Sequence, residues 1–534
     1  MITSIEFCDL YQAAKSATMP VDLPTGHACL FKGLKSYLTG DYEEALASLL
    51  AVYEQQHVLP EPMIGLMAEV AQRIGKEAEL AWPVLTFAED AVAQAQWDKA
   101  MAAIKQIHSF CCRMEMVESP DAVKRMSRML DIIAAHIPRP QSLDKPVPPK
   151  RKPRLAMVTV NLVDDVQAYA KTAMQFAKFL PRERFDCYLY FTEATWKERP
   201  QPFTIQFKTE HSIQRAPVFC SRLKGMVERG DTVVKFCPSH SFTRSAMWLA
   251  QELVNDQIDG VCFQGGVNAP IMWVASRTLS LPAKTALCLG VNMYQPELDA
   301  TIYMNKINLD REALFWEPAW GKQLFISGGA DIDAAQEAPR PDRSKFGIAP
   351  DQVTFGTMSN YIDARVTEAY MACVIQVLKA CPEAVFIVMG QGNPDRARKQ
   401  AEAAGVEDRC RWLPMQNAPF IALKLLDFYF NEFPVGGSQS IRECIACGIP
   451  ATAMRCSDKH HESVGADIVG DACSIPHFDP SAYVQRAIEW VKSADLRQRI
   501  AQEQLERARN YYSAQGFIEQ LAETMVEIAS SKPV

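Results

Sequence analysis

From residue 154 onward the chain alternates short apolar runs with longer amphipathic ones, and it does so in two successive series. In the first series RLAMVTVNLV and FDCYLYFTE predict strands, with an amphipathic helix over Tyr169–Leu180 between them. SAMWLAQELVNDQ then reads as helix, and DGVCFQGG and AKTALCLG as strands. The second series gives strand VTFGTMSN, a helix over Arg365–Ala380, then strands AVFIVMGQG and RCRWLP. Helix PFIALKLL, strand DFYFNEFP, helix SQSIRECIACG and strand IPATAMR follow. Strands that alternate with helices build parallel sheets, because each strand must return through a crossover. Two series, 154–330 and 345–534, joined by a loop near Ser327–Lys345, predict an α/β chain of two Rossmann-like lobes. Ligands in such sheets sit at the carboxyl ends of the strands. The last helices, over Pro480–Ser530, are expected to cross back to the first lobe.

Ahead of residue 154 the text changes. PRPQSLDKPVPPKRKP, residues 138–153, holds six prolines among basic residues. Such a segment sustains neither a helix nor a central strand and reads as a semi-rigid linker. Residues 1–137 contain no convincing strand and read as an all-α domain of paired short helices. YLTGDYEEALASLL, AQRIGKEAELA and AQAQWDKAMAAI each place a turn before a helix with Ala on its inner face. Gly40 and Gly75 lie 35 residues apart, against a tetratricopeptide (TPR) period of about 34. The third copy is off period, so the stretch resembles a degenerate TPR array. A peptide-binding groove and a plain helical cap both fit this pattern.

Composition removes several classes. Charged residues make up 22% and apolar ones 48%, an ordinary globular mix. The net charge of −7 without a basic run argues against nucleic acid as partner. No apolar stretch reaches the roughly 18 residues of a membrane span, and MITSIEFCDLYQ lacks the marks of a secretory leader. The sixteen cysteines are therefore expected to be reduced, in a cytoplasmic protein. Cys444 and Cys447 form a single CxxC inside a helix-like run, which reads as packing and not as a metal site.

The segment richest in chemistry is DFYFNEFPVGGSQSIRECIACGIP, Asp427–Pro450. A buried strand ends at Asn431, a turn with Gly436 and Gly437 follows, and Ser438, Gln439 and Ser440 open a helix that Gly448 ends. The amides at such a helix start form a ready anion site. Glu443, one turn further on, could accept bonds from ribose hydroxyls. Taken alone, the segment reads more simply as an N-cap serine followed by a first-turn acid.

These residues resemble the nucleotide-sugar site of GT-B-fold glycosyltransferases. The similarity is greatest to the group of the O-linked N-acetylglucosamine transferases and the HMW1C-like protein glucosyltransferases. The resemblance implies that Gln439 and Ser440 stand where the family has paired threonines at the diphosphate, and Glu443 where it has a ribose-binding Asp. Gly448 and Pro450 close the motif. The run from Phe355 to Gly392 is similar to the family's first strand, helix and second strand of the C-terminal lobe. Asn360 lies on its donor side, and Arg365 takes the place of the family's essential lysine. A cation is needed there because the leaving diphosphate gains charge as the glycosidic bond breaks. His461 and Glu462, in SDKHHESVGADIVG, match a donor-side loop. Met415–Phe420 stand where the base-stacking His is expected.

The two glutamates spaced eight apart of the retaining enzymes are missing, since Val435 stands eight before Glu443. No Asp-x-Asp pair stands in a plausible loop. An inverting, metal-independent transfer with no resident cofactor is implied. Asp165, after the first strand of the first lobe, is the candidate catalytic base, with Asp164, His211 and His240 as alternatives. The implied function is transfer of a hexose, from a UDP-linked donor, to a protein or peptide side chain guided by the N-terminal helices. A glycan or lipid-linked acceptor is an alternative, as is a non-catalytic helical scaffold carrying a relic GT-B part.

Overall fold

The computed structural model describes residues 4–16, 25–56, 63, 66–67, 70–71, 74, 76–111, 120–141, 151–160, 168–192, 230–239, 241–265, 269–288, 298–313, 321–359, 362–416, 418–456 and 464–532. Two parallel sheets dominate it. The first has the order β3-β2-β1-β4-β5-β6-β7. Its strands are β1 (Arg154–Thr159), β2 (Asp186–Phe191), β3 (Thr232–Phe236), β4 (Gly260–Gln264), β5 (Ala283–Cys288), β6 (Ala300–Tyr303) and β7 (Lys322–Phe325). The second runs β10-β9-β8-β11-β12-β13. It comprises β8 (Val353–Ser359), β9 (Ala384–Gly390), β10 (Cys410–Pro414), β11 (Phe428–Phe430), β12 (Ala451–Met454) and β13 (Ser474–Ile475).

Both sheets therefore repeat one doubly wound pattern. Each starts in the middle, winds to one edge, returns to the centre and winds to the other. The reversal leaves a crevice outside the carboxyl ends of the two central strands. In the first sheet those strands are β1 and β4, and in the second β8 and β11. The central strands are buried on both faces, so they read as continuous apolar runs.

The expected strands appear, and β3, β6, β7 and β13 add to them. One helix differs from expectation. The predicted helix over Arg365–Ala380 is two helices, Ile362–Arg365 and Glu368–Ala380. Thr367 divides them by capping the second, its hydroxyl accepting from the Tyr370 amide at 3.2 Å. Arg365 is thus the last residue of a short helix and not the start of a long one.

The tail does cross back. Phe517, Ile518, Leu521, Ala522 and Met525 of helix Ala514–Ser531 share a core with Leu155 and Met157 of β1 and Cys262 of β4. The N-terminal helices are also continuous with the first lobe. Their apolar residues form one cluster with Ala156, Val158, Val261 and Phe263. Asp98 accepts from the Thr243 amide and hydroxyl, each at 2.8 Å. The Arg277 side chain, 3% exposed, reaches Asp131 and the Ser127 hydroxyl. The proline-rich stretch is pinned at both described ends, where Gln141 bonds Gln251 and Arg151 pairs with Asp259.

Candidate functional site

At the second crevice two chain segments leave neighbouring strands and meet. After β8 the chain turns into helix Ile362–Arg365, and after β11 it runs through Asn431 and Glu432 to helix Gln439–Ala446. Two adjacent strands on either side of a reversal point bring residues 67 positions apart into contact. Arg365 Nη1 lies 3.4 Å from Glu432 Oε1. Glu432 has no solvent exposure, and a buried carboxylate must be compensated. Its Oε2 accepts from the Thr357 hydroxyl at 2.5 Å and from the Tyr429 hydroxyl at 3.4 Å. Burial and the Glu432 charge push the Tyr429 phenol up, so it stays a neutral donor.

The loop that follows passes close to this pair. A Cβ on Gly437 would lie 2.4 Å from Ser440 Oγ and 3.5 Å from Arg365 Nη1. A side chain there would force the Ser440 hydroxyl to move, and the backbone runs directly beside the guanidinium. Gly436 is buried with it. Ser438 holds the N-cap position in a helical backbone conformation and makes no side-chain cap. Its hydroxyl instead accepts from Arg442 Nη1 at 3.3 Å. The Ser440 hydroxyl turns inward and accepts from the Tyr429 hydroxyl at 3.1 Å. The start of this helix is thus left uncapped by the side chains best suited to cap it. Gly448, with φ 76°, ends the helix, and the segment has the strand–turn–helix form read from the sequence.

Three cations surround the helix start. Besides Arg365 there is Arg442, whose Nη2 donates to Met304 O at 2.9 Å and Asn305 Oδ1 at 2.7 Å in the first lobe. Burial lowers the Arg442 pKa to about 10, which still leaves it charged near neutral pH. The third is Lys171, from helix Ala168–Phe179 of the first lobe. Its Nζ lies 2.5 Å from Glu443 Oε1, with side-chain exposures of 14% and 3%. Gln439 Nε2 also donates to Glu443 Oε1 and to Gly329 O, each at 3.3 Å. Glu443 Oε2 is buried and has no hydrogen-bond partner. Arg365 and Lys171 are each paired with a carboxylate, Glu432 and Glu443, so the uncapped amides of the helix start are what favour an anion here.

Sequence reading singled out Arg365, Gly436, Gly437, Ser438, Gln439, Ser440 and Glu443, and the fold brings all of them to this crevice. It overlooked Glu432, Arg442 and Lys171. Glu432 could have been noticed as an acid directly after the β11 run, but the partners of Arg442 and Lys171 are set by tertiary contact alone. Asp164, Asp165, His211, His240, Asn360, His461 and Glu462 lie outside the described residues. Met415 and Phe420 flank the β10 exit. Cys444 and Cys447 are buried and donate separately to Ile449 O and Phe420 O. Burial pushes both thiols up, Cys447 to about 12. An Asp-x-Asp triplet occurs at Asp331–Asp333. Asp331 there caps helix Ile332–Glu337 and pairs with Lys178 at 2.6 Å.

No family model and no curated protein sequence matches the chain. Solved structures do. The chain is similar to an O-GlcNAc transferase mutant from Thermobaculum terrenum over 99% of its own length and 98% of that protein's, at 13% identity and a TM-score of 0.54. A glycosyltransferase from Rickettsia africae matches 72% of the chain over 100% of its length, at 11% identity and a TM-score of 0.54. HepE from Anabaena, solved with UDP and glucose, matches 70% of the chain over 99% of its length, at 12% identity and a TM-score of 0.50. The chain therefore has the two-lobed GT-B fold, with the helical region ahead of it included in the likeness to the first of these structures.

Proposed function

We propose that the chain is a glycosyltransferase that moves a hexose from a UDP-linked donor to a protein or peptide side chain. The observation that carries this reading is the uncapped helix start at Ser438, ringed by Arg365, Arg442 and Lys171, with a buried carboxylate oxygen of Glu443 left unmet one turn away. A nucleoside diphosphate supplies what each part lacks. Its phosphates meet the amides and guanidinium, and a ribose hydroxyl donates to Glu443 Oε2. That HepE was solved with UDP and glucose, and that its likeness extends over both lobes, supports the same choice of donor.

In the reaction the bond from the sugar's anomeric carbon to the diphosphate breaks, and its electron pair stays on the diphosphate oxygen. Arg365 and the helix start stabilise that charge where it develops. The acceptor oxygen or nitrogen forms the new bond from the opposite face and gives its proton to a base, for which Asp165 is our candidate. With fixed protein charge in that role, no metal and no resident cofactor is required of the donor side. Asn360, His461 and Glu462 complete the donor contacts, and the paired N-terminal helices, read as TPR-like, present the acceptor. Among the described residues no helix is long and apolar enough to cross a membrane, and we assign the protein to the cytoplasm.

The test is a panel of nucleotide-sugars in a hydrolysis assay, paired with a thermal shift against UDP, GDP and ADP. UDP at 100 times its Kd should stabilise the fold by about 2.7 kcal/mol. No shift with any diphosphate, together with no turnover of any donor, would end the enzyme reading.

A further inference from the structure

We propose that Lys171 is a second cation for the leaving diphosphate, supplied by the opposite lobe, and that its bridge to Glu443 is exchanged when the donor binds. The proposal rests on the nucleotide-sugar reading of the crevice. The bridge spans the two lobes, from helix Ala168–Phe179 to helix Gln439–Ala446, and both side chains are almost wholly buried. Glu443 Oε1 is already engaged twice, by Lys171 at 2.5 Å and by Gln439 at 3.3 Å. Lys171 is therefore what stands over the carboxylate that a ribose must reach. A ribose diol that grips the carboxylate through both oxygens, one hydroxyl on each, meets a free Oε2 but an Oε1 that already holds its two donors, and the ammonium is the one that gives way.

A displaced ammonium cannot stay buried without an anion. The helix start lies one turn from Glu443, a rise of about 6 Å. A diphosphate held there offers it one. The exchange conserves charge: one ion pair is replaced by another, and Lys171 neither gains nor loses a proton. The residue type suits the task. A lysine is a compact charge on a flexible stem and can swing through such a distance, whereas a guanidinium fixed by two or more partners cannot. Arg442 is fixed in that way by Met304 O, Asn305 and Ser438. Lys178, two turns along the same helix as Lys171, is held by Asp331 at 2.6 Å. Lys171 alone of these faces the Glu443 carboxylate. It also ties closure of the crevice to the donor, because a charge from the first lobe comes to rest on a ligand of the second.

The experiment measures uridine and UDP binding by calorimetry, and kcat and KM for donor hydrolysis, in wild type, K171M, K171R and the double variant K171M/E443Q. The double variant removes both charges, so it controls for a lone buried carboxylate, and the Tm of each protein checks the fold. K171M should lower kcat about 100-fold, the scale of one lost charge stabiliser at a leaving group. It should weaken UDP about tenfold while leaving uridine binding equal or tighter, since Glu443 is no longer covered. K171R should recover part of kcat. Equal weakening of uridine and UDP by K171M would overturn the proposal, because Lys171 would then only orient Glu443. An unchanged kcat in K171M with normal UDP binding would overturn it too. Failure of the wild-type protein to bind UDP overturns the donor reading itself, and this proposal with it.

Discussion

The two crevices have the same topology, and the described residues at their strand ends differ in charge. Each lies outside the carboxyl ends of two central parallel strands at a reversal of strand order. At the second, charges converge: Arg365, Glu432, Arg442 and Glu443, with Lys171 reaching over from the other lobe. At the first, the aligned end residues are Thr159 on β1 and Gln264 on β4. Both are buried and neutral. Among the described residues neither the Thr159 hydroxyl nor either polar atom of the Gln264 carboxamide has a hydrogen-bond partner. The winding of the sheet sets where a ligand can lie, and the few residues beyond the strand ends set which ligand.

Substitutions can break or sharpen this contrast. The largest effect is expected for Arg365→Ala, with kcat for donor hydrolysis falling by about 10²–10³-fold and Tm lowered, because the buried Glu432 carboxylate loses its cation. Turnover within threefold of wild type would remove Arg365 from the leaving-group side. Next, Glu443→Ala should weaken UDP by about tenfold, the scale of one lost charge-assisted hydrogen bond, read by calorimetry. An unaltered Kd would leave that carboxylate a partner of Lys171 and nothing more. Glu432→Gln keeps the shape but removes the charge that holds Arg365. A kcat loss of about fivefold to tenfold is expected at nearly constant KM, smaller than for Arg365→Ala because the guanidinium itself remains. A loss as large as that of Arg365→Ala would make Glu432 more than a positioning residue. The smallest effect is expected at the neutral crevice. Gln264→Leu replaces an unmet carboxamide by an apolar group of similar size, so stability should hold or rise by about 1 kcal/mol, with UDP affinity unchanged. A UDP Kd that moved as far as in Glu443→Ala would erase the distinction between the two sides.

Much of this architecture was legible in the chain itself. The central strands announce themselves because burial on both faces demands unbroken apolar runs, as in RLAMVT and AVFIVMG. The edge strands β3 and β7 escaped because partial exposure lets charge intrude into TVVKF and KQLF, and β6 and β13 because ATIY and SI are too short to show a pattern. The helix start at Ser438 was readable from its glycines and small polar residues, since a tight approach and an open N-terminus need those side chains. The helix break at Thr367 was not read, although a Thr beside a first-turn Glu carries that signal. Lys171 and Arg442 could not be read. Their partners lie 272 and more than 130 residues away, and nothing local distinguishes them from solvated helix cations. The N-terminal quarter was read as a helical region ahead of a proline-rich linker, either a binding groove or a cap, and its apolar faces merge with those of β1 and β4. A linker's composition describes the stiffness of a connection and is silent on whether the surfaces it joins are wet.

The two passages of chain between the lobes lie side by side. Ala330 donates to Tyr512 O and accepts from the Ala514 amide, both at 2.9 Å, and a Cβ on Gly329 would strike Ser513 at 2.4 Å. Two parallel straps clasped at one point resist torsion while permitting a fold about the axis between them. Gly329 O, on one strap, also accepts from Gln439 at the helix start and from Gln175 on the Lys171 helix. Any opening between the lobes must therefore pivot within a few residues of the helix start at Ser438, so that the bases of both jaws stay in register however wide the tips part.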